Sequence, residues 1–138
     1  MKKFTEEAKN EVVAKLLKMK VNMLTYEKYE AEIKSLGSNE KTHETLEKIA
    51  YLRKHKANEV YTIFRKYGYL SEEDLGIDNY NIMIKAILEG DLVILAQILP
   101  YIKYAYLVNK ISEDNYQRII DRFNSLNSMQ NETKRTLK

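Results

Sequence analysis

Three short stretches share one skeleton: NMLTYEKY at 22–29, GYLSEEDL at 68–75 and NKISEDNY at 109–116. Each starts with Asn or Gly, then any residue, then Leu or Ile, then Ser or Thr, with an apolar residue four places beyond the hydroxyl. Gly and Asn tolerate the left-handed backbone just past a helix C-terminus. Ser and Thr accept a hydrogen bond from the free N–H groups at the start of the next helix. An apolar pair around the cap has the spacing of a hydrophobic staple, which sets the angle between incoming chain and helix. On this reading Asn22, Gly68 and Asn109 stop helices, and Thr25, Ser71 and Ser112 start them. Leu24–Tyr29, Leu70–Leu75 and Ile111–Tyr116 are the staples. The skeleton therefore predicts three αα-hairpins.

A second kind of break lies between them. Leu36-Gly37-Ser38 and Glu89-Gly90-Asp91 each set a Gly stop beside a Ser or Asp cap, and Leu126-Asn127-Ser128 is a weaker copy. These divide the chain into hairpins over 5–37, 38–90 and 91–127. The middle one carries a further break at Gly76-Ile77-Asp78, with Asp78 as cap and Ile77 and Ile82 as its staple. Helical spacing of apolar residues then predicts helices over 6–21, 26–36, 40–67, 79–89, 92–108 and 113–126, with a short turn at 72–75. The first shows a broad face of Val12, Val13, Leu16, Leu17 and Met19; the third a row of Leu46, Ile49, Arg53, Ala57, Val60, Phe64 and Tyr67. No stretch alternates with the period of a strand. One Pro and four Gly in 138 residues leave little loop. The expected fold is all-α: a compact bundle of about six helices built as three consecutive αα-hairpins. Residues 1–127 form one domain, and the polar stretch 128–138 is expected to fray.

Composition narrows the function classes. Hydrophobic residues at 44% and charged residues at 31% are the balance of a globular domain. The absence of Cys excludes disulfides, thiolate nucleophiles and thiolate metal sites. MKKFTEEAKNEVV has two lysines but no apolar run behind them, so no signal peptide is expected and the cytoplasm is the expected location. A net charge of +3 with interspersed signs permits an acidic partner without demanding one. Lys outnumbers Arg 18 to 5, and Asn, Ile and Tyr are abundant, as in chains coded by AT-rich DNA of low-GC bacteria and their phages.

LLKMKVNMLTYEKYEAEIKSL, residues 16–36, resembles the short C-terminal (SHOCT) helical hairpin of many bacterial proteins. Leu17, Leu24, Thr25, Glu27, Tyr29 and Leu36 match the pattern; Asn22 stands where that family has Gly, and Lys28 where it often has Glu. The resemblance covers about a sixth of the chain. It implies oligomerisation or partner contact, and it transfers no catalytic residue.

Four stretches are candidates for function. LVILAQILPYIKYAYLV, 92–108, is the most apolar. A helix apolar all round is either enclosed or meets a second surface. It is expected either to be the central core helix or to turn Tyr101, Tyr104 and Tyr106 toward a partner or a second copy, which makes it the expected homodimer element. Its length, Pro100 and Lys103 argue against a membrane span. YLRKHKANEVYTIFRKY, 51–67, holds the densest positive cluster, and Arg53, Lys54 and Lys56 are its candidate contacts to phosphates or acidic protein. LSEEDLGIDNYNIMIKAILEG, 70–90, superficially resembles a helix-turn-helix, but its first helix is barely one turn. Its would-be reading helix also lacks an Arg for guanine. His43 and Glu47 share a helical turn without a third ligand in view.

Carboxylate pairs such as Glu72-Glu73 and Glu113-Asp114 fall in first helical turns, where the dipole favours them. No nucleophile elbow, phosphate loop or metal-ligand array is present in the sequence. The expectation is a non-enzymatic, cofactor-free and metal-free regulatory protein that binds another protein, of the kind a phage or mobile element uses to modulate a host protein. The competing expectation is a nucleic-acid-binding transcriptional regulator acting through the basic 53–66 surface or helix 79–89.

Overall fold

The computed structural model describes residues 2–37 and 40–136. Among them are six helices and no strand: α1 (Glu6–Leu36), α2 (Glu40–Tyr67), α3 (Glu72–Leu75), α4 (Ile77–Leu88), α5 (Leu92–Leu107) and α6 (Glu113–Thr136). The all-α bundle is as expected. Its first third differs: residues 6–36 are one helix.

Two of the three repeated skeletons reverse the chain. Gly68 has φ 79° and Asn109 has φ 59°, the left-handed conformation of a helix stop. After Gly68, Ser71 and Asp74 form a reciprocal capping box, and Leu70 and Leu75 are both buried. After Asn109, the Ser112 hydroxyl accepts from the Asn115 N–H at 3.1 Å, and Ile111 is buried.

NMLTYEKY does not turn. The Thr25 hydroxyl donates back to the Val21 carbonyl at 2.9 Å, as a Thr inside a helix does, and caps nothing. Leu24 and Tyr29, the supposed staple, both face solvent. The reason is the core row Val12, Leu16, Met19, Met23 and Tyr26, alternating steps of four and three without interruption and buried throughout. A turn at Asn22 would tear Met23 and Tyr26 from that row, and a single capping hydrogen bond cannot match burial of two large side chains. The broad face expected at 12–19 splits accordingly: Val12, Leu16 and Met19 point inward while Leu17 is exposed.

Other boundaries shift for local reasons. α4 starts at Ile77 with Gly76 at the cap position, φ 82°, so Asp78 lies in the first turn and Ile77 is exposed rather than stapled. α6 runs through the weak break at Leu126-Asn127-Ser128 to Thr136; with neither Gly nor Pro there, nothing stops it. The polar residues 128–136, expected to fray, are helical, and 137–138 lie outside the described residues, as does Ser38.

The centre of the bundle is α4, not α5. Tyr80, Ile82, Met83, Ile84, Ala86 and Ile87 of α4 are buried, and α1, α2, α3 and α6 pack around it. α5 packs against α2 and α6, and buries Ile94, Leu95, Ile98, Leu99, Ile102 and Ala105 on one side only. Between α4 and α5, Gly90 lets the backbone pass close to α2. A Cβ there would lie 2.8 Å from Ile94 Cγ2 and 2.9 Å from the Ala57 Cβ.

Two results are expected from urea denaturation. Thr25→Ala leaves stability unchanged or raises it by a few tenths of a kcal/mol, since Ala is the better helix former, whereas Ser71→Ala costs about 1 kcal/mol through the lost cap. Equal losses at both positions would contradict an uninterrupted α1. Gly90→Ala costs roughly 1–3 kcal/mol by overpacking; a neutral result would refute the close approach.

Candidate functional site

The chemically densest place among the described residues is the junction of α1, α2 and the end of α4. Lys56 projects from the core row of α2, between Ile49 and Val60, and is only 3% exposed. Its Nζ donates to the Tyr26 hydroxyl of α1 and to the Glu89 carboxylate, which follows α4 as its C-cap. The Tyr26 hydroxyl donates to the same Glu89 oxygen at 2.5 Å. One turn earlier on α2, Arg53 donates to Glu30 of α1, and its guanidinium carbon lies 4.9 Å from the centre of the Tyr26 ring. Lys56 Nζ is 4.5 Å from the same centre. Two cations thus lie close to one aromatic ring.

Burial and charge pull these groups in opposite directions. Burial lowers the Lys56 ammonium below its ordinary pKa, against the hydrogen bond and charge of Glu89, which favour the charged form. Burial also acts to raise Glu89, but hydrogen bonds from Lys56 and Tyr26 and the charges of Lys56 and Arg53 outweigh it, leaving the carboxyl below its ordinary value. Tyr26 is pushed well above the usual phenol range, first by burial and then by Glu89. The arrangement is an ammonium, a phenol and a carboxylate satisfying one another. None of three surface clefts in the structure is lined by Tyr26, Lys56 or Glu89. The visible consequence of the arrangement is a tie between three elements, α1, α2 and the end of α4.

The basic cluster is split between the inside of the bundle and its surface. Lys56 is inside, Arg53 pairs with Glu30, and Lys54 lies 3.3 Å from Asp91, the N-cap of α5. His55 stacks on Tyr51 and sits 3.5 Å from Glu59. Lys66 is 3.6 Å from Glu11, and Arg65 lies over the Tyr61 ring. His43 faces Glu47 at 3.2 Å, and no group of three metal-binding side chains occurs among the described residues. The stretch resembling a helix-turn-helix places its reading helix, α4, in the middle of the bundle, with Lys85 2.6 Å from Glu27 of α1.

The three tyrosines of α5 do not share a face. Tyr101 is half-buried against Tyr61 and Phe64, and Tyr106 stacks on Tyr116 with ring centres 3.9 Å apart. Tyr104 alone stands free in solvent. Its neighbours on the outer side of α5 are Val93, Pro100 and Leu107, which the sequence reading passed over although their spacing is helical. A second outer row, Leu17, Val21 and Leu24 on α1, was missed because Leu17 and Leu24 were assigned to the core and to a staple.

A cleft of 740 Å³ lies between α3 and the turn before α6, lined by polar residues such as Glu72, Glu73, Lys110 and Asn115 and by Ile77, Tyr80 and Ile111. Its Tyr80 shares a buried hydrogen bond with the Tyr69 hydroxyl behind it. No helix among the described residues is long and apolar enough to cross a membrane. No protein-family model, curated protein or solved structure matches the chain. Residues 16–36, which resemble the SHOCT hairpin, are an unbroken length of α1.

Lys56→Met is expected to cost about 3 kcal/mol, because it strands Glu89, and Lys56→Met/Glu89→Leu to recover most of that loss. For pH the sign follows from the depressed Glu89 carboxyl. The unfolded chain takes up the proton first, so this contribution is intact above the ordinary value of 4.5 and is lost as pH falls through the lower folded value. Denaturation midpoints measured from neutral pH downward should show that loss in the wild type and a flatter slope in Glu89→Gln. Equal slopes would remove Glu89 from the account.

Proposed function

We propose that this protein is a cytoplasmic protein-binding regulator, an accessory protein of the kind carried by phages and mobile elements, and that α1 is its recognition helix. The observation that carries the reading is the outer row of α1. Leu17, Val21 and Leu24 are 50%, 62% and 58% exposed, directly opposite the core row of the same helix. A helix with two apolar faces has one too many for the bundle it sits in. Lys18, Lys20 and Lys28 border the row, and no ion pair engages them among the described residues.

The matching partner is an amphipathic helix with apolar residues at three- and four-residue spacing and acidic flanks, the helix-against-groove mode of recognition. The SHOCT resemblance, which implies partner contact, falls on the same stretch, and Leu17, Leu24 and Tyr29 from its pattern are all exposed. The nucleic-acid reading loses support because Lys56 is buried, Arg53 and Lys66 lie against carboxylates of α1, and α4 is enclosed, which leaves Lys54 and Arg65 as the exposed cations of the 53–66 stretch.

Zero-length carbodiimide coupling in host lysate, followed by mass spectrometry, tests the reading. Lys18, Lys20 or Lys28 should be joined to carboxylates of one acidic helical segment, and Leu17→Glu/Val21→Glu should abolish the product. Products confined to other lysines, or insensitive to that double substitution, would refute α1 as the recognition helix. Low-salt binding of DNA or RNA that is lost steeply as salt rises would favour the nucleic-acid alternative.

A further inference from the structure

We infer that the outer face of α5 is a self-recognition surface, on which a second copy of this chain packs α5 against α5 in antiparallel orientation about a two-fold axis at Pro100. This surface is separate from the outer row of α1. Val93, Tyr104 and Leu107 are 70%, 59% and 78% exposed, and Ala96, Gln97 and Pro100 lie exposed between them. All sit opposite the buried row of Ile94, Leu95, Ile98, Ile102 and Ala105.

Three properties of the face select a copy of itself as occupant. The first is spacing. Val93 and Leu107 stand seven residues either side of Pro100, and Ala96 and Tyr104 four residues either side. Turning the helix end over end about Pro100 lays Val93 against Leu107 of the second copy and Ala96 level with its Tyr104, as an isologous interface requires. The second is charge. Lys103 is the sole charged residue from Leu92 to Val108, so the face offers nothing to a charged partner. The two Lys103 side chains of the pair are separated by about a Debye length and repel only weakly. The third is shape. Pro100 carries little side chain at the axis, which lets two helices approach there, the small Ala96 leaves room for the larger Tyr104 of the other copy, and Val93 and Leu107 close the ends. Antiparallel packing also opposes the two helix dipoles. A single helix row is a small interface, so the pair is expected to be weak and to form with rising concentration.

The chain has no Cys, so single cysteines report the geometry directly. Under mild oxidation Pro100→Cys should cross-link to itself rapidly. Val93→Cys alone and Leu107→Cys alone should not, because each site lies about 21 Å from its own copy along the paired helices. A mixture of the two should cross-link as fast as Pro100→Cys. Light scattering of the wild type should rise from the chain mass of 16.3 kDa toward twice that value with concentration, more strongly in high salt, and Leu107→Glu should remain at the chain mass. The inference is overturned if the wild type stays monomeric to about 1 mM. It is equally overturned if the three single-cysteine variants, folded by circular dichroism, cross-link at similar rates, which marks random collision.

Discussion

The structure turns on a lysine placed where a hydrophobic residue would otherwise sit. Lys56 occupies a core position of α2 and needs both a carboxylate and a second acceptor to be tolerated there. Tyr26 and Glu89 supply them from α1 and from the end of α4. An ammonium there is satisfied only where both acceptors are within reach. Buried ion pairs add little net stability because desolvation consumes most of the attraction. What this one supplies is alignment, and Arg53–Glu30 and Lys85–Glu27 repeat the alignment of α1 with its neighbours at half-exposed positions.

Most of the fold was readable from the sequence, and the misreadings have physical causes. Gly68 and Asn109 marked true reversals because the chain leaves a helix there through the left-handed region. Asn22 carried the same chemistry but had no need to use it. The competing signal was also in the sequence: the row from Val12 to Tyr26 keeps one helical face across the supposed turn. A row of five buried side chains outweighs a cap, so apolar continuity deserved more weight than punctuation. The end of α6 failed for the converse reason, since a polar segment without Gly or Pro can continue a helix that earlier turns have already nucleated.

The candidate site was less legible. Arg53, Lys54 and Lys56 were recognised as a group, but whether a cation faces water or protein depends on its counter-charges. Those counter-charges lie on other helices, at Glu30, Asp91 and Glu89. Average apolarity likewise singled out α5 without distinguishing a helix surrounded on every side from one with a face left over. The packing decides: α4, shorter and less apolar overall, is the enclosed one.

The bond from Tyr26 to Glu89 spans 63 residues of chain. A helix whose inner face waits for partners that far along the sequence cannot complete its packing until more than half of the polypeptide has left the ribosome. During synthesis α1 therefore exposes apolar residues on both sides at once. Folding should be slower than in a bundle of nearest-neighbour hairpins, and the nascent chain is a natural client for chaperones that recognise greasy helical segments.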